Sequence, residues 1–223
     1  MSILNAWIEQ NRARVCVDTD VVIPGARDLA RCSKMIPMVH LNAVLAIRGN
    51  WMFLQALHFS CASFSIGFDE LLEKMPSLLP GALRSTHEGL TSISERSTEV
   101  GVALERLRPL GKQTALLAGW SVDRCRMIVR TYTLDDPGGE FVSEDWDTNY
   151  LAPWDSSLPE IPLPPDPQQI GRLANAQIQL LRSKAPGAAG GGLLICATIG
   201  RYGMTISPIC GLPAVRHSPE PIK

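Results

Sequence analysis

Apolar, β-branched runs arrive in pairs along this chain, and the order of those pairs restricts the architecture more than any one segment does. ILNAWIE (3–9) and RARVCVDTDVV (12–22) are separated by the polar pair QN, the spacing of a hairpin; KMIPMVHL (34–41) and AVLAI (43–47) make a second pair. From Asn50 to about Met75 the apolar spacing becomes helical, and a second helical zone spans roughly 92–107, with the two prolines of PSLLPG marking a turn between them. Strands return as QTALLAGWS (113–121) and RMIVRTYTL (126–134) around VDRC. PQQIGRLANAQIQLLRSK (167–184) carries Ile170, Leu173, Ala174, Ile178 and Leu181 on one helical stripe, and GGGLLICATI with YGMTISPIC forms a last hairpin around GR. The order ββββ–αα–ββ–α–ββ predicts an α+β protein with two antiparallel sheets packed together and helices outside.

A chain of 223 residues can bury one large core, and one domain over 1–223 is expected. Residues 135–167 are rich in Pro, Asp and Gly and predict an extended loop insertion; the Pro-bearing tail from about residue 208 predicts a C-terminal arm. The hydrophobic fraction of 45% and charged fraction of 19% are those of a globular protein. A net charge of −1 with scattered basic residues gives no field to gather nucleic acid or anionic lipid. No run reaches the roughly 18–20 apolar residues of a membrane span, and no basic-then-apolar leader opens the sequence, so neither a membrane nor a nucleic acid is expected as partner and the expected location is cytoplasmic. The 6 cysteines include no C-x-x-C pair and no His at ligand spacing, so neither a metal nor a cofactor is expected, and the thiols are expected to be reduced. Cys16, Cys61 and Cys196 lie inside apolar runs, as small buried hydrophobes do. AAGGGLL opens a strand and lacks the Lys-Ser/Thr of a phosphate loop, and no G-x-S-x-G elbow is present.

The residues that carry a candidate chemistry lie near the start. The run VCVDTDVV delivers Asp18, and CSKM delivers Lys34 at the head of the next apolar run. The interval 34 − 18 = 16 repeats backwards as 18 − 2 = 16 and falls on Ser2. Read alone, Asp18 and Lys34 could be a structural ion pair between strand ends. The double spacing and the element order together resemble the proteasome β-subunit branch of the N-terminal nucleophile hydrolases, where an N-terminal nucleophile, an aspartate and a lysine recur at those intervals. The resemblance implies a four-layer αββα sandwich and a peptidase or amidohydrolase assembled as a ring or particle.

It also implies roles for the three residues. A serine hydroxyl needs a base, and an N-terminal residue carries one in its α-amine, whose ordinary pKa of about 8 leaves it partly unprotonated near neutrality. A nearby lysine lowers that value, and Asp18 would hold Lys34 aimed at the hydroxyl. Ser2 has the small side chain that favours removal of Met1, so no longer propeptide is expected. Gly49 in AIRGN would supply the oxyanion N–H, with a one-residue shift because a gapless count from Lys34 lands on Arg48.

The resemblance is incomplete. Asp20 stands where the family has an arginine, APGAAGGGLL lacks the family's supporting aspartate and serine, and Ser156 or Ser157 are the candidates for the other accessory serine. Three functions follow: a peptidase using Ser2, a small-molecule amidase on the same fold, and a catalytically inactive subunit kept as scaffold of a larger particle. The helical runs WMFLQALHF and VALERL carry more apolar surface than one sheet face covers, which predicts a homo-oligomer.

Overall fold

The computed structural model describes residues 2–21, 30–62, 67–96, 111–136, 138–184 and 190–213. The chain opens with the hairpin β1 (Leu4–Glu9) and β2 (Arg12–Asp18). A two-stranded ribbon, β3 (Asp20–Val21) with β4 (Ala30–Arg31), precedes a second hairpin, β5 (Met35–Met38) and β6 (Ala43–Arg48). Helices α1 (Trp51–Cys61) and α2 (Phe68–Arg96) follow. Next come β7 (Gln113–Ser121), β8 (Arg126–Leu134), β9 (Val142–Trp146) and β10 (Asn149–Ala152). Helix α3 (Pro167–Lys184) leads to the last hairpin, β11 (Gly192–Gly200) and β12 (Gly203–Leu212).

The strands form two five-stranded antiparallel sheets, one in the order β10-β1-β2-β11-β12 and the other in the order β5-β6-β7-β8-β9. Period-2 alternation sorts their side chains into layers. Leu4, Ala6, Val15 and Val17 of the first sheet meet Val44, Ala46, Leu116 and Ala118 of the second in the layer between the sheets. The alternate residues Leu45, Ile47, Ala115 and Leu117 pack outward against Phe53, Leu57, Leu71 and Met75 of α1 and α2. On the opposite side Ile3, Trp7, Cys16 and Cys196 pack against Ile170, Leu173 and Ile178 of α3. Helices cover the outer face of each sheet as the partner sheet covers the inner one, which is why the central strands carry apolar residues on both faces. The layers are therefore α, β, β, α, as the sequence led one to expect.

Three expectations need correction. Residues 135–167 are not a structureless insertion: β9 pairs with β8 in the second sheet and β10 pairs with β1 in the first, so this segment crosses from one sheet to the other. Edge strands have one neighbour and one solvent face, and VSEDW has almost no apolar pattern to announce it. The PSLLPG stretch is not a turn; Pro76 and Pro80 lie inside α2, whose Phe68, Leu71, Leu72, Met75, Leu79 and Ala82 are all buried, so packing overrides the local penalty for proline. Finally, residues 208–212 belong to β12, beside a register shift at Leu194/Ile195 that accommodates Pro208. The helical zone expected to reach 107 lies outside the described residues beyond Arg96, as does the tail beyond residue 213.

Candidate functional site

Five strand ends meet at one end of the sandwich. There β1 begins just after Ser2, β2 finishes at Asp18, β5 begins just after Lys34, β6 finishes at Arg48, and β11 begins at Gly192. An end where strands from both sheets stop can gather polar side chains that neither sheet face would tolerate.

Asp18 is the hub. Its side chain is 0% exposed, and it accepts three hydrogen bonds: from Lys34 Nζ at 2.7 Å, from the Ile3 N–H at 2.8 Å, and from the Gly191 N–H at 3.2 Å. A buried carboxylate is tolerable when its lone pairs are filled in this way. The Lys34 side chain is 4% exposed, and its carbonyl accepts from the Ile47 N–H at 3.0 Å, which ties it to β6. Ser2 is itself buried, at 4% exposure. Its peptide bond to Ile3 is held from both sides, since the Ile3 N–H reaches Asp18 and the Ser2 carbonyl accepts from Arg48 Nε at 3.0 Å.

The other sequence-derived candidates are placed as follows. Gly49 follows Arg48 with φ of 142°, a region that side chains disfavour, and a Cβ there would stand 2.2 Å from Gln113 Oε1. That oxygen accepts from the Asn50 N–H at 2.7 Å, and the Asn50 side chain in turn caps α1 through the Met52 N–H. Asp20 is 2% exposed, with Arg31 Nε at 3.6 Å; burial pushes its carboxyl up, against the pull of Arg31. Ser157 is placed elsewhere, in an exposed turn, where it donates to Asp155 at 2.8 Å.

Three contributors escape a sequence reading. The Gly191 N–H and the Thr19 hydroxyl, which accepts from Leu193 N–H at 2.9 Å, come from backbone and from a residue type with no distinctive spacing. The glycine run was the available signal: a Cβ on Gly192 would stand 2.3 Å from Asp20 Oδ1, so glycines let the β11 backbone close over Thr19 and Asp20. Arg48 is the third; it lies where the gapless count falls, yet acts through its side chain. Among the described residues no group of three or more His, Cys, Asp or Glu is placed to hold a metal, and no helix is long and apolar enough to cross a membrane. The six cysteines form no disulfide.

No established family matches the sequence, and no curated protein matches it. Solved structures do match in shape. An Anbu Gly-1 mutant from Hyphomicrobium sp. strain MC1 superposes with a TM-score of 0.53 at 11% identity, covering 94% of this chain and 87% of that one. Anbu from Yersinia bercovieri, described as an ancestral beta-subunit, gives a TM-score of 0.56 at 11% identity with the same coverage. The fold is proteasome-like, that of the N-terminal nucleophile hydrolases. The resemblance drawn from the sixteen-residue spacings is corrected in one respect: with no family matched and 11% identity to these structures, the relationship to the proteasome β-subunit branch is a distant one of fold and does not amount to membership.

Proposed function

We propose that this chain, acting as one domain, is a hydrolase of peptide or amide bonds whose nucleophile is Ser2 once Met1 has been removed. The observation that carries the reading is the Asp18 carboxylate, which holds the Lys34 ammonium at 2.7 Å and the first peptide bond after Ser2 at 2.8 Å. A lysine and the N-terminal residue are thereby anchored on one buried acid.

In the reaction, the Ser2 Oγ attacks the substrate carbonyl carbon while its proton passes to the α-amine, with Lys34 as the neighbouring cation that keeps that amine unprotonated. The carbonyl π bond opens to an oxyanion facing the Gly49 N–H. As the oxyanion collapses, the C–N bond breaks and the α-ammonium returns its proton to the leaving amine, leaving an ester on Ser2. Water, deprotonated by the same amine, attacks that ester, and the acid departs with Ser2 regenerated.

The test is intact-mass measurement followed by acylation with a serine-reactive electrophile and peptide mapping. The expected result is loss of one methionine mass, label on Ser2, and no label or hydrolysis in Ser2→Ala, which should unfold at the same temperature as the parent. A retained Met1, or a processed and folded protein that takes no label, overturns the reading. A second reading, an inactive subunit serving as scaffold, is favoured by Asp20 standing where the resembled family has an arginine and by APGAAGGGLL lacking its supporting aspartate and serine. Absence of label on processed protein supports that alternative. In either case we propose self-assembly, which light scattering checks against the chain mass of 24.3 kDa.

A further inference from the structure

Arg48 ends β6 with its guanidinium partly buried, an expensive place for a cation that could reach water from the end of a strand. Burial pushes its guanidinium down from the ordinary arginine range, while Tyr150 and Asp18 pull the other way. What Arg48 does there is donate from Nε to the Ser2 carbonyl at 3.0 Å. On the other side of the same peptide plane, Asp18 accepts the Ile3 N–H at 2.8 Å. A plane gripped at both its oxygen and its nitrogen cannot rotate about the bonds that flank it. That fixes the Ser2 Cα and its Cα–C bond, and leaves the α-amine and the hydroxymethyl group only the one rotation about that bond.

We propose that Arg48 is the positioning residue of the N-terminal nucleophile, gripping the Ser2 carbonyl so that hydroxyl and amine project from an immobilised peptide plane. It touches no reacting atom. The inference rests on the hydrolase reading above and adds to it a residue that the Ser2, Asp18, Lys34 constellation does not include. A second effect follows from charge. The charged and titratable groups of this cluster are Asp18 on β2, Asp20 on β3, Lys34 before β5, Arg48 on β6 and Tyr150 on β10, and each cation among them makes a protonated amine beside it less favourable.

The test compares the parent with Arg48→Met, Arg48→Gln and Arg48→Lys, using kcat normalised to the Ser2 sites titrated by the electrophile, KM, and the pH profile of kcat/KM. Loss of the grip is expected to lower kcat about 100-fold in Arg48→Met, the scale of a misplaced reacting group, with KM nearly unchanged. Removal of the cation raises the proton affinity of the amine, so the acid limb of the profile moves to higher pH. Arg48→Lys keeps the charge and one donor, and is expected to restore the acid limb and part of the rate. Arg48→Gln, neutral and smaller, supplies the measurement if the methionine variant does not fold. A purely structural arginine would lower thermal stability and the fraction of titratable sites, yet leave kcat per site and the acid limb where they were, and that result overturns the inference alone. A processed parent protein that takes no label on Ser2 overturns the hydrolase reading and this inference with it.

Discussion

The Asp18–Lys34 pair is two charges buried beyond the reach of water, at 0% and 4% side-chain exposure. Such a pair adds little net stability compared with apolar residues of the same volume, but removing one partner strands the other. Lys34→Ala should therefore cost about 3–5 kcal/mol in denaturant unfolding as well as abolishing Ser2 reactivity. A Lys34→Ala protein as stable as its parent would show that the buried pair contributes nothing to the fold. A second buried polar device lies on the α3 side of β1. The Asn5 and Gln177 side-chain amides bond to each other at 2.8 and 2.9 Å, and they also engage the Ala152 N–H and the Pro153 carbonyl, joining β1, α3 and the chain leaving β10. Gln177→Leu leaves the Asn5 amide without that partner and should lower stability by about 1–3 kcal/mol in the same assay.

Between residues and the whole lie the element ends. The β6–α1 junction turns on Gly49, whose φ of 142° and whose lack of a Cβ let Gln113 reach the Asn50 N–H. Gly49→Ala should cost about 1–3 kcal/mol, from backbone strain and from displacement of Gln113, with thermal unfolding as the readout. Across β8 and β9, Asp145 takes both Arg130 Nε and Nη2 and also Arg124 at 3.3 Å; the Arg130 hydrogen bond holds its carboxyl below the usual carboxylate range. A carboxyl depressed in the folded state contributes stability above its unfolded pKa of about 3.9 and loses it as pH falls through the lower folded value. The melting-temperature difference between the parent and Asp145→Asn should accordingly be constant above about pH 5 and shrink on acidification below it. A difference that stays constant down to pH 2 would show that the arginines do not favour the charged form.

At the scale of the molecule, β9 and β10 tie the two sheets together at their edges, since these consecutive strands pair with β8 on one sheet and with β1 on the other. The side chains between the sheets include Ala6, Ala13, Ala46, Ala118 and Ala197, small enough to let the layers approach closely. Outside the sandwich, Phe59 on α1 is 82% exposed, the kind of apolar surface that a second subunit would cover. Light scattering at micromolar concentration should return a multiple of 24.3 kDa; a monomer would remove assembly from the proposal.

Where burial is two-sided, the sequence is legible. QTALLAGWS and RMIVRTYTL match β7 and β8 end to end, because central strands carry mostly apolar and β-branched residues, and the stripe Ile170, Leu173, Ala174, Ile178, Leu181 is the buried face of α3. The pairing of Asp18 with Lys34 was legible only through the resemblance carried by the sixteen-residue spacings, because β2 and β5 lie in different sheets and no hairpin brings their ends together. What the chain could not announce depends on partners distant in sequence. Edge strands such as β9 take their hydrogen bonds from a neighbour and need no pattern of their own, and Pro76 and Pro80 remain helical because sheet and helix packing outweighs their local penalty. The grip of Arg48 on the Ser2 carbonyl and the Gly191 N–H on Asp18 are contacts across 46 and 173 residues of chain. Local sequence determined which central strands form and which charges end them; only the stacking of two sheets decided that five strand ends, with a backbone N–H from one and an arginine from another, would close around the start of the chain.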